Sequence, residues 1–136
     1  MAPGRSHDER DIEELIRRWA AAVHVGDLDV VLDRHAADIV MFDVPPPERG
    51  VRGLSAYRDT WPPFFEWQRS GAAFEIDAID VTAGADVAFA WALLRCATAD
   101  GMQQEPDRRL RLTVGLHRET DGGWVVTHEH HSFTST

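Results

Sequence analysis

The chain has 136 residues, 43% of them hydrophobic and 27% charged, with a formal net charge of -9 and a single cysteine. That length makes one domain, spanning 1-136, with one hydrophobic core, and the composition excludes a disordered or fibrous chain. The acidic balance argues against nucleic acid and anionic membrane as partners, and the lone Cys96 excludes an intrachain disulfide and a cysteine-based metal site.

The longest apolar run, Val87 to Leu94, falls far short of the ~20 residues of a membrane-spanning helix, and no secretory signal opens the chain, so the expected compartment is the cytoplasm. Lysine is absent and every guanidinium or ammonium side chain is arginine, a habit of GC-rich genomes that fits a bacterial source.

In chain order, Ser6 and Glu9 have capping-box spacing, and Ile12, Leu15, Ile16, Trp19, Ala22 and Val23 follow at helical intervals, predicting a helix from about 7 to 25. Gly26 can close it, and Asp27 can cap a second, shorter helix presenting Leu28, Val31, Leu32 and His35. The β-branched and aromatic run Ile39 to Val44 predicts a strand stopped by Pro45-Pro46-Pro47, with Asp43 at its mouth. After a Pro- and Gly-rich loop, Leu54, Tyr57, Arg58 and Trp61 predict a third helix, broken at Pro62-Pro63 into a short aromatic turn with Phe64, Phe65 and Trp67. Four long strands are then expected, at Ala73 to Thr82, Val87 to Thr98, Arg108 to Arg118 and Trp124 to Phe133, joined as an antiparallel meander. The sum is an α+β fold in which three N-terminal helices cover one face of a curved antiparallel sheet.

The last strand places His128, Glu129, His130 and His131 consecutively. Side chains alternate along a strand, so ionisable groups project to both faces, and both faces must meet something other than bulk water. A two-residue turn at Asp121-Gly122 sets Thr113 opposite His130 and Arg111 opposite Ser132. A turn with a bulge at Gly123 sets Thr113 opposite Glu129 and Arg111 opposite His131, pairing charge with charge; this register is preferred. It puts Arg111, Thr113, Glu129 and His131 inside and Trp124, His128 and His130 outside, toward a partner subunit. No face of the strand offers three metal ligands and the helical HExxH spacing is absent, so no metal is expected.

Three stretches, Trp19 to Asp27 (WAAAVHVGD), Ala37 to Gly50 (ADIVMFDVPPPERG) and Asp121 to Ser132 (DGGWVVTHEHHS), stand in the order found in the nuclear transport factor 2-like superfamily, which the chain resembles over nearly its whole length. That superfamily includes ketosteroid isomerases, SnoaL-like polyketide cyclases and the association domain of calcium/calmodulin-dependent kinases. The resemblance implies a cone-shaped fold with a ligand pocket at its wide mouth. It also implies that Asp43 matches the isomerases' general-base aspartate, although an aspartate before a Pro-rich loop can equally be a turn cap.

The isomerases' two oxyanion donors are missing. Trp19 stands where their helix-one tyrosine would be, and Thr113 or Val114 replaces their acid, so steroid isomerisation is not expected. In the kinase association domain the residue just after the second histidine lines the pocket, and here that residue is His131. Tyr57 and Trp61, each with a polar tip, are expected in the pocket, whereas Phe64, Phe65, Trp67, Phe89 and Trp91 either line it or form the core.

Two function classes follow. One is a cofactor-free isomerase, cyclase or dehydratase acting on a hydrophobic carbonyl compound, with Asp43 as base and Arg111 or His131 as electrophile. The other is a non-catalytic ligand-binding or assembly module. Both take a small hydrophobic ligand and form a homodimer through the outer sheet face.

Overall fold

A computed structural model describes residues 6–134. Helix α1 (His7–Val25) opens on the anticipated capping box, in which Ser6 and Glu9 each accept the other's backbone N–H. It closes at Gly26, whose φ of 77° is left-handed and suits glycine. Helix α2 (Leu28–Leu32) is capped by Asp27. His35, expected at the end of this helix, instead opens strand β1 (His35–Phe42), because Asp33 is extended and Arg34 takes a φ of 55°, which ends the helix. Asp43 lies one residue past β1, not within it.

Strand β2 (Val51–Arg52) is followed by helices α3 (Leu54–Asp59) and α4 (Trp61–Gln68). The proline pair therefore starts a helix rather than reducing it to an aromatic turn, since a first turn leaves its N–H groups unpaired and proline has none to lose. Four helices, not three, thus precede the long strands β3 (Ala73–Ala83) and β4 (Val87–Ala97). Helix α5 (Ala99–Gln104), absent from the sequence reading, is capped by Thr98 ahead of β5 (Leu110–Arg118) and β6 (Trp124–Phe133).

The sheet order is β2-β1-β6-β5-β4-β3. β3 to β6 form the expected antiparallel meander, and β1 joins β6 in parallel, which makes an open mixed sheet. Helix α1 lies against β3. Its Ile12, Ile16, Trp19 and Val23 share one core with Met41, Phe74, Leu94, Leu112, Val114 and Val126 of the sheet. Irregularities in β1, β3 and β6 bend the strands around that core, as bulges do. Among the described residues, no helix is long and apolar enough to cross a membrane.

The register of β5 and β6 changes along its length. Next to the turn, Arg118 stands opposite Trp124 and Leu116 opposite Val126, the bulged-turn register. Then Thr127 is left without a partner, and from Gly115 opposite His128 onward the alternative holds, with Thr113 opposite His130 and Arg111 opposite Ser132. Three expectations are corrected by this single inserted residue. Arg111 and Thr113 lie on the outer face and are exposed, whereas Trp124 is buried in the core.

Candidate functional site

Glu129 is the centre of the interior polar cluster. Beyond the Thr127 bulge, every second residue of β6 turns inward, so Glu129 and His131 are buried while His130 is exposed. Each oxygen of Glu129 has its own partners. Oε1 is 2.9 Å from His131 Nε2; Oε2 is 2.9 Å from His35 Nε2 and accepts the Tyr57 hydroxyl at 2.8 Å. The Tyr57 oxygen in turn accepts the Trp19 indole N–H at 3.1 Å, and the His35 Nδ1 lies 2.8 Å from the carbonyl of Asp33. Five side chains from α1, α3, β1 and β6 are thereby tied into one buried network, of the kind that stabilises only when fully satisfied.

Burial alone would push the Glu129 carboxyl up, but hydrogen bonds and charge from His131 and His35 overcome it and hold the group at about 2. For both histidines burial works against the charged form, and the Glu129 carboxylate more than reverses it, raising His35 and His131 above the ordinary value. The Asp43 carboxylate adds to the rise at His131. Burial, with Glu129 beside it, keeps the Tyr57 phenol protonated well beyond its ordinary range. An ionised carboxylate between imidazole N–H donors follows from these directions.

His131 connects this cluster to a cavity of about 400 Å³. Its Nε2 faces Glu129, and its Nδ1 lies 3.6 Å from Asp43 Oδ1. Around them the wall is apolar, formed by Trp61, Phe64, Trp67, Phe74 and Phe133, with Pro45 from the loop after β1 and Pro63 from α4. Asp43 is about a fifth exposed, and its Oδ1 also accepts the Val44 N–H at 2.8 Å, so it caps the loop and faces the cavity at once. The thiol of Cys96 on the same wall is pushed by burial to about 11, which leaves it protonated and a poor nucleophile.

Of the residues singled out from the sequence, Asp43, Trp61 and His131 line the cavity. Trp19, Tyr57 and Glu129 stand one layer behind, oriented on His131 and on one another. Arg111 and Thr113 are not brought to the site. Arg111, expected inside with Glu129 and His131, bonds instead to Ser132 Oγ at 3.2 Å and the Phe133 carbonyl at 3.3 Å on the outside. Phe89 and Trp91 also face outward, in neither core nor cavity.

Sequence reasoning missed His35 as a member of the site. The available signal was its place beside the Ala36 to Phe42 run, where a polar residue on a buried strand needs a partner. Among the described residues, no three His, Cys, Asp or Glu side chains are grouped to hold a metal ion.

The family model of the SnoaL-like domain matches residues 12–136. No curated protein matches the chain. Among solved structures, an NTF2-like protein of unknown function from Pseudomonas putida is 35% identical, with a TM-score of 0.80 over 91% of this chain and 84% of that one. An NTF2-like protein with a cystatin-like fold from Novosphingobium aromaticivorans (19% identical, TM-score 0.71, 91% and 80% covered) shows the same fold. So does a ketosteroid isomerase-like protein from Erwinia carotovora atroseptica, at 16% identity and TM-score 0.69 over 97% and 100%. With its family model matched from the middle of α1 to the C-terminus and the α+β cone in place, the chain belongs to the SnoaL-like domain family of the nuclear transport factor 2-like superfamily.

Proposed function

We propose that the cavity takes a small hydrophobic carbonyl compound and that Asp43 and His131 exchange a proton with it, in an isomerisation, cyclisation or dehydration without a cofactor. The observation that carries this reading is the placement of these two groups, 3.6 Å apart, on an otherwise apolar wall. Apolar surface supplies affinity, while the polar pair supplies orientation and a proton acceptor next to a donor. With its Nε2 held by Glu129, His131 presents Nδ1 toward the cavity side, and an imidazolium there can stabilise an enolate as Asp43 removes the α-hydrogen. Arg111, once a candidate electrophile, is too far round the sheet to serve.

The test is carbon-bound hydrogen exchange. Ketones that quench the fluorescence of Trp61 or Trp67 are incubated with the protein in D2O, and deuterium uptake next to the carbonyl is followed by NMR. Asp43→Asn should abolish uptake while affinity stays within about tenfold. Uptake at the parent rate would leave Asp43 as a loop cap, and the ligand-binding module would become the better reading.

The outer face of the sheet, with Phe42, Phe89, Trp91, His128 and His130, is proposed as the surface through which two copies form a homodimer. Its support is the apolar area of Phe42, Phe89 and Trp91 that the described residues leave exposed.

A further inference from the structure

His35 does not line the cavity, yet it shares the Glu129 carboxylate with His131. Its protonation follows from counting donors. Nδ1 lies 2.8 Å from the Asp33 carbonyl, which can only accept, so Nδ1 carries a hydrogen. Nε2 lies 2.9 Å from Glu129 Oε2, an ionised acceptor that also takes the Tyr57 hydroxyl hydrogen, so Nε2 carries one too. His35 is therefore an imidazolium. The same count at His131 fixes one nitrogen only: Nε2 donates to Oε1, whereas Nδ1, 3.6 Å from Asp43, is beyond hydrogen-bond reach.

Charge makes the two histidines unequal. One carboxylate with one imidazolium is neutral in this buried layer, and a second imidazolium leaves a positive charge whose nearest compensation is Asp43. The groups that face His131 are few. Glu129 lies on its own strand, with Tyr57 of α3 and His35 of β1 reached through it; Asp43 follows β1, and the protonated Cys96 thiol is on β4. Trp19 of α1 and Trp61 of α4 contribute rings without charge, and its β5 partner Leu112 is apolar.

We propose that His35 is a positioning residue for His131: by neutralising Glu129 from the side away from the cavity, it lets Glu129 orient the His131 ring without locking a second proton onto it. Nδ1 is then left to release and recover a proton at the cavity wall. This rests on the reading of His131 as a proton-exchanging group. His35 touches no ligand and acts only through the carboxylate it shares.

The experiment is an NMR titration of the histidine rings in ligand-free protein, with His131 assigned by its loss in His131→Gln. In the unaltered chain, both ring nitrogens of His35 should be protonated at neutral pH, and a bare nitrogen on His35 overturns the proposal. In His35→Gln, which keeps a donor for Glu129 but no charge, the apparent pKa of His131 should rise by about one unit, a tenfold tighter hold on its proton. A purely structural role would lower the melting temperature and leave that titration in place, and an unchanged or lowered value sinks the idea. The first measurement needs no variant, so it decides even if His35→Gln fails to fold. Neither uses a ligand, so deuterium uptake that survives Asp43→Asn would end the reading of Asp43 as the base, while the titration separately decides whether His35 sets the proton affinity of His131.

Discussion

The Tyr57 hydroxyl donates to Glu129 Oε2 across 2.8 Å while receiving the Trp19 indole N–H at 3.1 Å, so one phenol oxygen ties helices α1 and α3 to the last strand. Tyr57→Phe keeps the ring and its stack on His35, but it removes one donor from a buried carboxylate and orphans the Trp19 N–H. Loss of a hydrogen bond to a charged group should lower the unfolding free energy by roughly 1.5 to 3 kcal/mol, read from denaturant curves with unchanged slope. A variant as stable as the parent would mean that water supplies the missing hydrogen bonds.

Stability should depend on pH in two limbs, with opposite signs. The Glu129 carboxyl is held below its ordinary value of 4.5, at about 2, so the stability it contributes is complete above 4.5 and is lost as pH falls toward 2. His35 and His131 are raised above 6.5, so their contribution is complete below 6.5 and is lost as pH rises through their folded values. The cluster therefore contributes most between about 4.5 and 6.5. Melting temperatures measured from pH 2 to 9 should peak in that window. In Glu129→Gln the histidines lose their charged partner, and the alkaline limb should flatten; a limb that persists unchanged would place its origin elsewhere in the molecule.

Helices α1 to α3, the long strands and their order were legible because local signals mark them, among them the Ser6–Glu9 capping box, the Gly26 cap and the β-branched runs, whereas α4 and α5 were not. What the sequence concealed is a matter of one residue. Thr127 has an ordinary strand residue's chemistry, and nothing in the type of residue announces that it will be left unpaired between Val126 and His128. Its hydroxyl donates to the Gly115 carbonyl at 3.2 Å, on a partner strand where glycine has no side chain to oppose it. Because strand faces alternate, that insertion keeps Trp124 and Glu129 both inside, and it moves Arg111 and Thr113 outside. His35 was hidden for a different reason: the break between helix and strand lies at Arg34, whose left-handed φ is not encoded by a glycine.

The same register makes a sharp prediction for Arg111. Burial beside a carboxylate would make Arg111→Ala destabilising by ~3 to 5 kcal/mol. Exposed, with only Ser132 and a strand carbonyl as partners, it should change stability by no more than ~0.5 kcal/mol, measured on monomer in dilute denaturant series. A large loss would mean that the outer face is buried in a way a single chain does not show.

That outer face supplies the last prediction. Strand β4 alternates in an inverted sense: Ala88, Ala90 and Ala92 point into the core, whereas Val87, Phe89 and Trp91 stand outward at 66%, 53% and 44% exposure. Small inner residues leave room for the bulky side chains of α1 in the shared core. Among the described residues nothing covers the large outer ones, and aromatic side chains grouped on a sheet face are typical of contact surfaces. Phe42 lies between His128 and His130 at ring separations of 5.4 and 5.7 Å, extending the patch across β6 to β1. If two copies pack here, sedimentation at micromolar concentration should show a dimer. Trp91→Glu should then return a folded monomer with its cavity ligands still bound, because Trp91 and the cavity are on opposite faces. A parent chain that sediments as a monomer at those concentrations ends the dimer proposal, and a Trp91→Glu dimer would move the interface to another surface.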